Sequence, residues 1–129
     1  MTGQLQDFRI EQEILVTLRK AEIDARQQEA ARLRAVRART VARRNRQLAR
    51  RREELARCAG GELKPEELLQ RRTRIDREDA RFARAEERWR RAHDALKTRS
   101  EAEDERWRET RIRVIGAALS PSYTSQLPS

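Results

Sequence analysis

The chain has 129 residues, of which 41% are charged and 4% aromatic, with four glycines, three prolines and a net charge of +9. This composition is poor in the side chains that fill a globular core, and its many helix-forming residues indicate long helices or a coiled coil. No apolar run approaches the roughly 20 residues that cross a bilayer, and no secretory signal pattern is recognisable at the N-terminus. Intrinsic disorder, the competing interpretation of so polar a chain, conflicts with the regular apolar spacing described below.

The first predicted helix starts near Asp7, whose side chain can cap it, and residues 1–6 before it are expected to be frayed. Its first turns are apolar over more of the circumference than one partner helix covers. Beyond them, small residues continue at a spacing of seven. This row consists of Ile14, Ala21, Gln28, Ala35, Ala42, Ala49 and Ala56.

The clearest helix breakers of the chain lie between Cys58 and Glu67. Gly60 and Gly61 can adopt left-handed backbone angles that end a helix, and Pro65 suits the first turn of the next helix. The sequence therefore predicts two helices of similar length joined by a turn. The predicted bounds are 7–58 and 65–117 for the helices, 59–64 for the turn and 120–129 for a disordered tail. Cys58, the only cysteine, is interpreted as a small residue near a helix end in a reduced, cytoplasmic protein.

The second predicted helix carries large apolar residues at a spacing of seven. They are Leu68, Ile75, Phe82, Trp89 and Leu96. Folding the chain about a turn centred near residue 62 sets this large row against the small row, with Phe82 opposite Ala42 and Trp89 opposite Ala35. The expected fold class is all-α, with two long antiparallel helices forming a coiled-coil hairpin. A parallel dimer formed through the 68–96 row is the alternative, and a monomer is preferred.

Two candidate binding sites emerge from the sequence. Residues 30–52 hold ten arginines and no acid, so that nucleic acid or an acidic protein surface would be attracted to this block. The expected basic face comprises Arg37, Arg39, Arg43, Arg44, Arg46, Arg50 and Arg51. If the hairpin forms, apolar residues near both chain ends converge into a second, partner-binding site. Its expected members are Leu15, Val16, Leu18, Ile23, Trp107, Ile112 and Ile115.

Enzymatic motifs are absent from the sequence. Gly60-Gly61 is not followed by the Gly-Lys-Ser/Thr of a phosphate loop, and His93 is the only histidine, which excludes a di-iron helical bundle. Asp79, Glu86 and His93 share a helix face, which is interpreted as the solvated flank of the helix pair. The prediction is a non-enzymatic protein without cofactor or metal. A basic-zipper protein is rejected because Gly60, Gly61 and Pro65 separate the basic block from the apolar heptads.

The equal helical segments, the break at 58–67, the apolar and basic start at Ile10–Lys20 and a tryptophan in the second segment resemble the stalk proteins of type III secretion systems. These are the FliJ/YscO type, found in flagellar export machines and injectisomes. The resemblance implies a cytoplasmic stalk that binds the hexameric export ATPase and couples it to the export gate or chaperones, with the inner face of the membrane as a place where it can act. A basic coiled coil that associates non-specifically with nucleic acid through its Arg-rich helix is the alternative function.

Overall fold

The computed structural model describes residues 2–61 and 63–118 as two helices joined by a short turn. Helix α1 spans Thr2–Ala59 and helix α2 spans Pro65–Ala118. They pack as a hairpin, which confirms the predicted all-helical fold. Helix α1 begins five residues earlier than predicted, so residues 2–6 belong to it and Asp7 lies inside it instead of capping it. The predicted disordered tail lies outside the described residues.

The turn is made by one left-handed glycine. Gly61 has a φ of 75° and is the only residue with a positive φ in the described part of the chain, so Gly60 does not use its conformational freedom. The amide of Gly60 donates to the carbonyl of Ala56 at 3.1 Å, and that of Gly61 donates to Cys58 at 3.0 Å. Pro65 then opens α2, with Glu66 and Glu67 in its first turn, where they complement the positive helix terminus.

The helix pair divides into two compact units. The first unit comprises Met1–Glu29 and Ala95–Ser129, and the second comprises Ala30–Asp94, which contains the turn. Neither described helix includes a segment that is both long and apolar enough to cross a membrane.

In the second unit, the contact between the helices is largely polar. Leu33, at 7% exposure, is the only buried hydrophobic residue in the described part of the chain, and Glu54 and Glu78 are about as buried, at 8% each. Other residues at alternating spacings of three and four on α1 are half-buried, as expected for a coiled-coil seam. These half-buried positions are Ala30, Arg37, Thr40, Arg44, Gln47, Arg51 and Cys58. The α1 side of the seam is therefore mainly arginine and other polar residues.

The large apolar row of α2 faces this seam as predicted, but its partners on α1 differ from those predicted. Ile75, Phe82 and Trp89 are half-buried, whereas Leu68, nearest the turn, is 42% exposed. The guanidinium of Arg44, not the methyl group of Ala42, covers the ring of Phe82. Arg37 likewise takes the place predicted for Ala35 against Trp89. The turn is thus centred near residue 63, and each pair slides by two residues.

The row of small residues on α1 is exposed to solvent and does not lie in the contact with α2. Ala35, Ala42, Ala49 and Ala56 are all exposed, and so is Ile14. The predicted packing of large side chains against alanines is therefore wrong. The physical reason is that an arginine stem offers more apolar contact than an alanine methyl group, and its guanidinium can also pair with a carboxylate of α2.

Candidate functional site

In the second unit, two arginines of α1 each bind an aromatic ring and a carboxylate of α2. The guanidinium of Arg44 lies 4.7 Å from the centre of the Phe82 ring and bonds Asp79 at 2.7 Å. That of Arg37 lies 4.2 Å from the Trp89 ring and bonds Glu86 at 3.0 Å. We call each such trio a guanidinium cluster. The rings supply apolar and cation–π contact, and the carboxylates neutralise the charge.

The first unit contains a third guanidinium cluster. Arg19 lies 5.7 Å from the centre of the Trp107 ring and forms an ion pair with Asp104. Two turns along α1, Arg26 bonds both Glu103 and Asp104 at 2.8 Å and donates to the carbonyl of Ser100 at 3.0 Å. These arginine side chains are 15% and 18% exposed, so they form part of the packed contact between the helices.

The guanidinium clusters have a sequence signature that was not among the predicted features. In each, an acid precedes the aromatic residue by three positions, and an arginine stands immediately before the ring: Asp79-Ala-Arg-Phe82, Glu86-Glu-Arg-Trp89 and Asp104-Glu-Arg-Trp107. Residues three apart lie on the same helix face, so one guanidinium from α1 reaches both. The intervals between Arg19, Arg37 and Arg44 equal those between the three rings, which could have revealed the register.

Asp79 and Asp104 of the guanidinium clusters, and Glu54 nearer the turn, have lowered pKa values, so the charged form of each is favoured. Hydrogen bonds from Arg44 and then Arg51 lower the pKa of Asp79, and those from Arg19 and then Arg26 lower the pKa of Asp104. For Glu54, burial favours the protonated form, but the hydrogen bond and charge of Arg74, with those of Arg71, outweigh it and lower its pKa.

The predicted basic face does not exist as one surface. Arg37, Arg44, Arg50 and Arg51 are tied to carboxylates of α2. Arg39, Arg43 and Arg46 are exposed, and the described part of the chain gives them no ion pair. The prediction of one basic face was wrong because the half-buried arginines at the seam alternate in sequence with arginines that are exposed to solvent.

Four arginines of α2 lie beside the three exposed arginines of α1 and enlarge this unpaired basic surface. Arg77, Arg81, Arg84 and Arg88 follow one another at helical spacing, are exposed and have no ion pair among the described residues. Arg43 and Arg81 line one shallow depression, which places the two rows on the same side of the second unit. We call this surface the arginine flank. It consists of Arg39, Arg43, Arg46, Arg77, Arg81, Arg84 and Arg88.

The opposite side of the second unit exposes large aliphatic side chains. Val41, Leu48 and Leu55 recur at a spacing of seven on α1 and are 39%, 37% and 70% exposed. Leu55 shares a depression with Leu68 and Ile75 of α2, and Val41 shares another with Ala38 and Trp89. We call this surface the apolar flank. It consists of Ala38, Val41, Leu48, Leu55 and Leu68.

Three arginines border the depressions of the apolar flank. Arg34 borders the depression at Val41, Arg52 the one between Leu48 and Leu55, and Arg72 the one at Leu68. All three are exposed and have no ion pair among the described residues. The apolar flank therefore combines a hydrophobic strip with a positively charged rim.

The residues of the predicted site near the chain ends are placed in different environments. Leu15, Leu18 and Trp107 line one open groove of the first unit together with Arg19 and Thr110. Ile23 is half-buried in the seam, whereas Val16, Ile112 and Ile115 are exposed and do not line that groove. Val16 and Leu18 are separated by about 200° around the helix, which explains why both cannot face it.

Among the described residues, no group of three or more histidines, cysteines, aspartates or glutamates is placed to hold a metal ion. Asp79 and Glu86 instead serve as ion-pair partners at the flank of the seam, while His93 stacks on Trp89 with ring centres 4.9 Å apart. The sequence matches no protein-family model, and neither a curated protein nor a solved structure is significantly similar to it.

Proposed function

We propose that the protein is a non-catalytic helical adaptor that binds an amphipathic helix of another protein along its apolar flank. The observation that carries this proposal is the exposed heptad row of Val41, Leu48 and Leu55. Large aliphatic residues at this spacing form a strip that a second helix can follow over successive turns. The hairpin partner α2 leaves this strip open, so its contact with water is removed only by a further chain.

The charged residues beside the apolar flank indicate the chemistry of the helix that binds there. Arg34, Arg52 and Arg72 border the strip and lack ion pairs among the described residues. A helix with apolar residues on one face and acids beside them would bury the strip and pair with this rim. A second copy of the chain fits less well, because two molecules of net charge +9 repel each other.

We further propose, from the resemblance to type III secretion stalk proteins, that the partner is the export ATPase of such a system. The protein would then act in the cytoplasm, at the inner face of the membrane, and link the ATPase to the export gate or to chaperones. The hairpin of two long helices supports this proposal as the architecture expected of such a stalk.

Replacing Leu48 and Leu55 with glutamine tests the docking surface. We expect the double variant to bind the purified export ATPase encoded in the same genome about 10- to 100-fold more weakly than the wild type, since two leucines no longer become buried. Binding is measured by isothermal titration calorimetry. Circular dichroism should show unchanged helicity, because both side chains are already exposed in the free protein.

A matched control is V36Q/L69Q. Val36 and Leu69 are 38% and 67% exposed, close to the values of Leu48 and Leu55, but they line none of the depressions of the apolar flank. The control should bind like the wild type. Equal loss in both variants would contradict the docking surface, and a genome without an export ATPase gene, or an ATPase that does not bind, would contradict the secretion assignment.

A further inference from the structure

The proposed binding of a partner helix along the apolar flank does not involve the arginine flank. It lies on the side of the second unit opposite the apolar flank, and its seven arginines have no ion pair among the described residues. Neighbouring guanidinium groups repel one another, and this repulsion lowers the stability of the free protein. A surface of this kind gains stability when an anionic partner covers it.

The buried acids beside the arginine flank are bonded to other arginines. Glu54 and Glu78 are buried at the seam and are bonded by Arg71, Arg74 and Arg50. Glu78 lines the same depression as Arg43 and Arg81, but its ion pairs with Arg50 and Arg74 commit it within the hairpin. The exposed guanidinium groups of the flank therefore remain available.

The spacing of the arginines suits a chain of phosphates. Arg39, Arg43 and Arg46 on α1, like Arg77, Arg81 and Arg84 on α2, follow at intervals of three or four residues. Each interval advances by about 4.5–6 Å along a helix. A nucleic-acid duplex carries one phosphate per about 3.4 Å of each strand, so each guanidinium can meet its own phosphate. Guanidinium groups also bind phosphate oxygens in pairs, with a fixed geometry.

Other anionic surfaces fit the arginine flank less well. A helix that binds a membrane surface inserts large apolar side chains beside its basic residues, and in the second unit the aliphatic row Val41, Leu48 and Leu55 lies on the opposite side. A protein interface needs a central apolar or aromatic anchor, which the seven arginines do not provide. A duplex backbone requires neither.

We propose that the arginine flank binds the phosphate backbone of a nucleic-acid duplex without reading its sequence. Both helices contribute to this surface, whereas the sequence alone suggested a face on α1. The proposed contact is with the phosphates alone, whose charge and spacing are the same for every base sequence. Affinity therefore rests on counterion release and falls steeply with salt.

The test compares two triple variants that remove the same charge. R43Q/R46Q/R81Q removes three guanidinium groups from the arginine flank, and R34Q/R52Q/R72Q removes three from the opposite side. Binding to a labelled random-sequence duplex of about 20 bp, as DNA and as RNA, is followed by fluorescence anisotropy from about 50 to about 200 mM salt. The full chain is used throughout, and circular dichroism verifies that each variant keeps its helicity.

For R43Q/R46Q/R81Q we expect at least about a tenfold loss of affinity at the lowest salt, and a slope of log affinity against log salt that is smaller by about three. The opposite-side variant should keep the wild-type slope. Binding of either duplex with this pattern supports the proposal. Equal losses in both variants, no duplex binding, or equally tight binding to phosphatidylserine vesicles would overturn it. These results do not depend on the export ATPase, so this proposal and the adaptor proposal fail separately.

Discussion

Phe82, Trp89 and Trp107 each lie beneath a guanidinium that also binds the carboxylate three residues earlier in the chain. An arginine in this position has two functions at once. Its stem and its planar head cover the ring, while its charge is neutralised by the acid, and each cation–π contact contributes on the order of 0.5–1 kcal/mol. A chain with only 4% aromatic residues can thereby bring its helices together without a conventional apolar core.

Replacing Asp79 with asparagine should lower the melting temperature at neutral pH. The amide is nearly isosteric, but it leaves Arg44 and Arg51, which are 19% and 17% exposed, without their shared negative partner. A largely buried arginine that has lost its carboxylate partner destabilises the folded state more than an unpaired arginine at the exposed surface does. Thermal unfolding followed by circular dichroism measures the change.

Asp76→Asn is the matched control for Asp79→Asn, since Asp76 lies on the same helix, is exposed and has no ion pair among the described residues. Its melting temperature should stay close to that of the wild type. If both variants melt at the same temperature, the ion pairs of Asp79 do not stabilise the hairpin.

The aromatic row could be predicted from the sequence, but the residues that cover it were predicted wrongly. Trp89 and Phe82 were expected to face alanines, because large side chains in a coiled coil commonly pack against small ones. The repeated acid-x-Arg-aromatic pattern was present in the sequence. It went unused because a charged residue is ordinarily assigned to the solvent-exposed face, although a long arginine stem can pack like an aliphatic residue.

At the scale of the helices, the positions of the turn and of α2 follow closely from local sequence signals. Pro65 and the glycines bound the turn as predicted, since these residues act through their own backbone angles. The start of α1 at Thr2 was missed because polar residues at a chain end carry no strong signal for or against a helix. The register between the helices was off by two residues, because it depends on contacts between side chains far apart in sequence.

The observed register predicts a large loss of stability for one substitution on α1 and little change for another. Leu33→Ala should lower the free energy of unfolding by about 2 kcal/mol, since the Leu33 side chain is only 7% exposed and alanine leaves a cavity there. The hydrogen bond from the indole N–H of Trp89 goes to the backbone carbonyl of residue 33 and is kept in the variant. Ala42→Gln should change the free energy of unfolding by no more than about 0.5 kcal/mol, because Ala42 is exposed. Urea titration measures both.

In the register first expected, Ala42 faces Phe82, and a glutamine there would force the helices apart. A large loss of stability in Ala42→Gln, together with a small one in Leu33→Ala, would therefore favour that register over the one described here.

Across the described residues, the two helices are joined by many ion pairs and by few buried apolar side chains. Leu33 is the one buried hydrophobic residue that the structure describes, while the carboxylates of Glu54 and Glu78 are about as buried. Half-buried arginine–carboxylate contacts occur in both units. Stability should consequently depend on pH more strongly than in a protein with an apolar core.

Acid should unfold the protein. The pKa values of Asp79, Asp104 and Glu54 lie below the ordinary values of 3.8 for aspartate and 4.5 for glutamate. A carboxylate with a lowered pKa in the folded state contributes its full stabilisation above the ordinary value and loses it as the pH falls through the folded value. The midpoint of urea unfolding should therefore hold steady above about pH 5 and fall progressively below about pH 4.

The variant D79N/D104N provides the comparison for this pH dependence. It lacks two of the titrating groups, so its urea midpoint should be lower at neutral pH and should decrease less on acidification than that of the wild type. A decrease identical to that of the wild type would show that other groups cause the acid sensitivity.

The unequal intervals between the guanidinium clusters restrict how the chain can misalign. Along α1 the three arginines are separated by seven and eighteen residues, and the same two intervals separate the rings on α2. An alanine-rich seam repeats every seven residues and would tolerate a slip of one heptad. Here such a slip leaves only one arginine opposite an aromatic ring, either Arg37 opposite Phe82 or Arg44 opposite Trp89. The unequal intervals therefore favour one alignment of the two helices, because only that alignment sets all three arginines opposite aromatic rings.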